Sequence, residues 1–284
     1  MENSSVIQVD HLAKQFRKET ALKDLSFSVQ PGEIFGFLGP SGAGKTTTIK
    51  ILTGQLTQSA GKASVLGKPV EQINETIYQQ IGIITDNSGL YEKMSVYQNL
   101  SFFARILGID KKRVELLLQK VGLLEHKKKL AGKLSKGMKQ RLVLARSILH
   151  EPKVLFLDEP TSGLDPSTSE AVYQLLLELK QKGTAIFLTT HNMEEAAKLC
   201  DQVALLNDGL IVESGSPKEL CLKFNRDKFY QITLKNGKEL TLAHSNETRA
   251  KIDQWLAEDS LAAIHSCEPT LEKVFLEVTG RELV

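Results

Sequence analysis

Gly39-Pro40-Ser41-Gly42-Ala43-Gly44-Lys45-Thr46 stands directly after the apolar run Ile34–Leu38 and before the helical run Thr47–Leu52. A glycine-rich turn between a strand and a helix lets backbone N–H groups approach phosphate oxygens at the positive end of the helix dipole. In this P-loop pattern Lys45 reaches the β and γ phosphates, Thr46 ligates Mg2+, and Thr47 completes the phosphate-binding run. The competing account, a glycine-rich turn with a chance Lys-Thr, loses weight from the strand-to-helix setting.

A second apolar run, Val154–Leu157, ends in Asp158-Glu159. Successive side chains of an extended chain point to opposite sides, so the two acids can take separate tasks. Asp158 can hold Mg2+ through its water shell while Glu159 faces the water that attacks the γ-phosphate; a plain polar strand exit is the bland alternative. A third run, Ala185–Thr190, leads into His191. Continuous apolar runs of this length read as strands buried on both faces of a parallel sheet with crossover helices, an α/β fold. Ligands in such sheets bind beyond the carboxyl ends of the strands, where all three sites fall.

Between the first two runs the texture is helical. Val96, Leu100, Phe103, Ala104 and Leu107 recur at helical spacing, and Val114, Leu117, Leu118 and Val121 follow after the N-cap candidate Asp110. Residues 89–150 are therefore expected to form a helical subdomain inserted in the α/β core. Past residue 224, Phe229–Leu234 and Glu239–Leu242 flank Asn236-Gly237, which predicts a tight hairpin with positive φ at both central residues. The predicted division is 1–224 for the core and 225–284 for a small α+β domain.

The 284 residues carry 36 Lys and Arg against 34 Asp and Glu, and a net charge of +2 excludes a whole-molecule field aimed at nucleic acid or an anionic membrane. Cys200, Cys221 and Cys267 are in no metal-ligand spacing. The first ten residues lack the pattern of a secretory signal, and no window approaches the roughly 20 apolar residues that span a bilayer. The run His126–Lys129 has no interleaved aromatic set for stacking bases and reads as a solvated face, so no nucleic-acid partner is expected.

Together these motifs resemble the ATP-binding cassette (ABC) family, the nucleotide-binding subunits of ABC transporters. Leu134-Ser135-Lys136-Gly137-Met138 is similar to the family's signature motif, Ser162-Gly163-Leu164-Asp165-Pro166 to its D-loop, and Thr189-Thr190-His191 to its switch-histidine segment. The resemblance covers residues 5–224 in family order and implies a P-loop NTPase (ABC ATPase) core that binds ATP and Mg2+ and hydrolyses ATP. It implies that Glu159 polarises the attacking water and His191 contacts the γ-phosphate. Ser135 and Gly137 would close on the γ-phosphate of ATP held by another copy, although Ser135 alone reads as a helix cap. Asp165 joins the nucleotide-binding residues. Phe16 stands where the family usually has an aromatic that stacks on adenine, with a core Phe as the competing reading.

Asp86 occupies the position where most members have a glutamine touching Mg2+ and water, and its contact would run through water. Lys136 and Met138 also depart from the commoner signature. With Glu268-Pro-Thr-Leu-Glu-Lys-Val-Phe-Leu-Glu, these departures resemble the daunorubicin-resistance branch of bacterial exporters. The resemblance implies a separate transmembrane permease, a second copy of the chain or a homologous ATPase subunit, membrane contact only through the permease, and a place at the cytoplasmic face of the cell membrane. Cassette ATPases of translation or DNA repair, and nutrient importers, are the alternative readings.

Overall fold

A computed structural model describes residues 5–17, 19–85 and 89–280. The chain runs through β1 (Ile7–Phe16), β2 (Glu19–Val29), β3 (Ile34–Leu38), α1 (Lys45–Leu52), β4 (Ala60–Val65), β5 (Lys68–Pro69), α2 (Glu75–Tyr78) and β6 (Ile81–Ile84). Three helices follow: α3 (Val96–Ile106), α4 (Lys111–Lys120) and α5 (Lys136–Ser147). The core then closes with β7 (Val154–Asp158), α6 (Pro166–Gln181), β8 (Ala185–Thr190), α7 (Met193–Leu199), β9 (Gln202–Asn207) and β10 (Leu210–Gly215). The remainder holds α8 (Pro217–Lys223), β11 (Phe229–Leu234), β12 (Glu239–Ala243), α9 (Asn246–Ala257), β13 (Leu261–Ser266) and α10 (Leu271–Thr279).

A ten-stranded sheet has the order β5-β4-β1-β2-β10-β9-β3-β8-β7-β6. Strands β9, β3, β8, β7 and β6 are mutually parallel, and every residue of β3, β7 and β8 is buried, in keeping with the apolar runs that fill them up to Leu38, Leu157 and Leu188, with polar side chains only at the ends of β7 and β8. Phe187 on β8 anchors this core, with ring centroids 5.5 to 6.0 Å from Phe27, Phe35, Phe37 and Phe156. The other half adds an antiparallel part that the apolar runs did not predict: β1, β2, β4 and β5 pair antiparallel. The Phe16↔Glu19 pair closes the β1–β2 hairpin.

The expected helices of the insert form. Ser95 caps α3 in a capping box with Gln98, Asp110 caps α4, and the buried stripes Val96/Leu100/Ala104 and Val114/Leu117/Leu118 are the periodic residues of the sequence. The chain divides into two compact units, one ending at Ser214 and one beginning at Gly215. In the second, β12-β11-β13 make an antiparallel sheet and α8 packs on α10. Its hairpin corrects one expectation. Only Gly237 (φ 84) is left-handed; the Leu234 carbonyl accepts from Gly237 N–H and the Lys238 carbonyl accepts from Leu234 N–H. This is a turn over Lys235-Asn236 followed by a glycine bulge, which gives the needed twist with one positive φ instead of two.

Candidate active site

The P-loop begins where β3 ends. Gly44 caps α1 at φ 111, where an added Cβ would stand 2.4 Å from Leu22 Cδ2. Gly42, at φ 80, faces open space, so the turn presents bare backbone outward. Lys45 is only 8% exposed, and its ammonium donates to the carbonyls of Gly39 (2.5 Å) and Pro40 (3.1 Å) and lies 3.5 Å from Glu159 Oε1. Thr46 Oγ1 donates to Asp158 Oδ2 at 2.7 Å, and Thr189 Oγ1 donates to Asp158 Oδ1 at 2.5 Å. Register explains the second bond, because Thr189 pairs with Asp158 across β7 and β8.

Glu159 does not continue the strand. Its φ is 49, and its N–H donates to the Thr189 carbonyl at 3.0 Å. The two acids diverge through a left-handed kink, not through strand alternation; a non-glycine residue held there costs of order 1–3 kcal/mol, and such positions cluster at active sites. The kink sets Glu159 Oε2 2.8 Å from His191 Nδ1 and Oε1 beside Lys45. Phe16, Pro40, Ser41, Gly42, Gly44, Lys45, Thr46, Thr47, Asp158 and Glu159 line one cavity of about 430 Å3. Phe16 is 43% exposed, with Lys14 Nζ 4.9 Å from its ring centre, so it is not a core residue.

Ser135 caps α5, accepting from Met138 N–H at 3.3 Å, and does not line that cavity; nor does Gly137, which packs against Thr168. Asp165 caps α6 and accepts from Thr168 N–H (2.9 Å) and Oγ1 (2.7 Å). The Thr168 hydroxyl and N–H hold its carboxyl below the usual range. Asp86 falls outside the described residues.

Several contacts were not read from the sequence. Gln140 Nε2 donates to the Pro160 carbonyl at 2.8 Å, tying α5 to the turn after Glu159. Lys136 lies against Gly163, so closely that any side chain there would displace it. Glu195, 2% exposed, accepts from Thr161 Oγ1 (2.6 Å) and Thr190 Oγ1 (2.7 Å). Burial, and then the Glu159 charge, raise the Glu195 pKa above 4.5 against the pull of those two hydroxyls. The folded state therefore keeps this proton to higher pH than the unfolded chain, and stability falls as pH rises through that window. Glu195→Gln removes the titration and keeps partners for both hydroxyls. Its melting temperature relative to the parent should climb as the pH is raised above 4.5, and parallel pH profiles for the two proteins would refute this.

The cradle fits a polyphosphate: it combines exposed loop backbone, a buried ammonium and the start of α1. Among the described residues no cluster of three or more His, Cys, Asp or Glu could hold a metal alone. Thr46 and Asp158 offer adjacent hard oxygens, which suits Mg2+ completed by phosphate and water.

The sequence pattern of the ABC transporter family matches residues 22–162. A fluoroquinolones export ATP-binding protein of Mycobacterium tuberculosis is 41% identical over 99% of this chain and 95% of its own. The linearmycin resistance ATP-binding protein of Bacillus subtilis is 32% identical, covering 98% and 99%. A solved ATP-binding subunit of an ABC transporter superposes with a TM-score of 0.71 at 30% identity, over 78% of this chain and 93% of that one. Likeness along nearly the whole length of such relatives, joined to a phosphate cradle at the strand ends, means that the chain belongs to the ABC transporter family.

Proposed function

We propose that this chain is the ATP-hydrolysing subunit of an exporter, bound to a separate transmembrane permease at the cytoplasmic face of the membrane. Residues 1–224 would supply the ATPase and the remainder an accessory domain. The observation that carries the catalytic reading is the Lys45–Glu159–His191 chain standing beside the Thr46–Asp158–Thr189 chain. Export rests on the relatives named for fluoroquinolone export and linearmycin resistance. Among the described residues no helix is long and apolar enough to cross a membrane, so the path for cargo belongs to the permease.

The loop N–H groups and Lys45 bind and orient the triphosphate, and the exposed ring of Phe16 stacks on the base. ATP supplies the phosphoanhydride bond, and Mg2+ held by Thr46 and Asp158 would neutralise phosphate charge. Glu159 takes a proton from the attacking water. His191, held through Nδ1 on Glu159, keeps Nε2 for the γ-phosphate. Ser135 and Gly137 lie away from their own chain's P-loop cavity, which supports closure on ATP held by a second copy or a homologous subunit. Closure driven by ATP then shifts the permease between two states.

The test is recovery of the full-length protein from detergent-solubilised membranes, followed by ATP-driven accumulation of a fluorescent fluoroquinolone in everted vesicles. Co-purification of an integral membrane protein is expected. Its absence, with co-sedimentation on ribosomes instead, would defeat the transport reading.

A further inference from the structure

Near-neutral overall charge hides a sharp division. Of the chain's 36 basic and 34 acidic residues, 14 and 4 lie between residues 89 and 150, leaving 22 and 30 for the rest. The helical insert is therefore a basic lobe on an acidic body. Within it, Arg113 pairs with Glu151, Lys120 with Glu178, Lys127 with Glu115 and Lys139 with Glu92. Lys111, Lys112, Lys128 and Lys129 are exposed and have no ion pair among the described residues.

The Glu115–Lys127 ion pair links the two pairs of lysines. Lys111 and Lys112 stand four and three positions before Glu115 on α4, the spacing of one helix face. Glu115 is bonded to Lys127, and both line a shallow cavity of about 410 Å3 with Tyr97, Gln98, Lys128 and Leu130. The backbone of the 127–130 segment is fastened to the start of α3, since the Lys127 and Lys129 carbonyls accept from Tyr97 and Val96 N–H. Leu116 (48% exposed) and Leu130 (40%) stand in the open among these lysines.

We propose that this face of the helical insert rests on an anionic bilayer surface, so that the subunit touches lipid headgroups directly as well as its permease. Lysine is a mobile point charge, whereas an arginine fork suits fixed, bidentate recognition of a protein carboxylate. The four charges on this face are all lysines, and the exposed Leu116 and Leu130 stand close to them in sequence. That combination matches a fluid sheet of negative charge with an apolar layer beneath it. It does not match nucleic acid, because no set of exposed rings alternates with the lysines.

The experiment is co-sedimentation of the full-length protein with vesicles of phosphatidylcholine alone or with about one-third phosphatidylglycerol. Each lysine at such a surface contributes about fivefold. Preference for the anionic vesicles is expected, and lost at high salt. Replacing the four together (Lys111→Gln, Lys112→Gln, Lys128→Gln, Lys129→Gln) should weaken that binding by at least about a hundredfold with basal ATPase unchanged. The matching four Lys→Arg changes should retain it. Equal binding of parent and Gln variant, or no preference for phosphatidylglycerol, overturns the proposal. Lysine-dependent binding to native membranes without binding to protein-free vesicles of their extracted lipid also overturns it, and assigns the face to an acidic protein. None of these outcomes depends on whether the chain drives export.

Discussion

Glu159→Gln is expected to reduce ATP turnover by about 100- to 10,000-fold, the range attributed to a positioned general base, while ATP binding survives. The amide matches the carboxylate in shape, so the left-handed backbone at φ 49 and the bond from its N–H to Thr189 are undisturbed. What vanishes is the group able to take a proton from water. The same change removes a negative charge 3.5 Å from the Lys45 ammonium, so the cradle becomes more positive toward a triphosphate. ATP affinity should therefore be equal to or tighter than that of the parent, and ATP should hold two chains together because it is no longer consumed. Steady-state phosphate release and ATP-dependent size-exclusion chromatography measure the two halves of this expectation. Turnover near the parent rate would remove Glu159 from the base role.

The parallel half of the sheet was legible because burial on both faces fills Ile34–Leu38, Val154–Leu157 and the first four residues of Ala185–Thr190 with residues that carry no polar side chain. The antiparallel half was not. In β1 the buried residues Ile7, Val9 and Leu12 break the two-residue period, because His11 takes φ 49 and the register slips on both neighbours near it. A bulge is a backbone event, and the sequence period records it only as lost alternation.

The site shows the same division. Gly39 to Thr47, Asp158, Glu159 and His191 could be proposed from the sequence because each stands at a strand end in a local pattern. Thr189 was not assigned a role, since its bond to Asp158 follows from pairing between strands 31 residues apart in sequence. Glu195 reads in sequence as an acid in the first turn of α7, favoured there by the helix dipole. Its burial between Thr161 and Thr190 is set by tertiary packing, and it turns a routine helix acid into a carboxyl whose pKa is raised by desolvation.

Lys45→Ala should weaken ATP binding by about a hundredfold or more, roughly 3 kcal/mol, in the range for truncating one member of a buried charged pair. The Lys45 side chain is 8% exposed, and its ammonium is fixed by two loop carbonyls in a residue that lines the cavity with Thr46, Asp158 and Glu159. Removing it takes away the positive charge nearest the β and γ phosphates and leaves Glu159 to repel them. The fold should tolerate the change, because alanine suits the start of α1, the Gly39 and Pro40 carbonyls each lose one hydrogen bond, and Glu159, which loses its ion pair, keeps His191 as a partner. Chemical denaturation checks that point separately from binding. If repulsion by Glu159 caused the whole defect, adding Glu159→Gln to Lys45→Ala would restore affinity. If the ammonium itself binds phosphate, the double variant should still bind weakly in calorimetry. Tight ATP binding by the single Lys45→Ala variant would dismiss the lysine from phosphate binding and, with it, the reading of this loop as the triphosphate cradle.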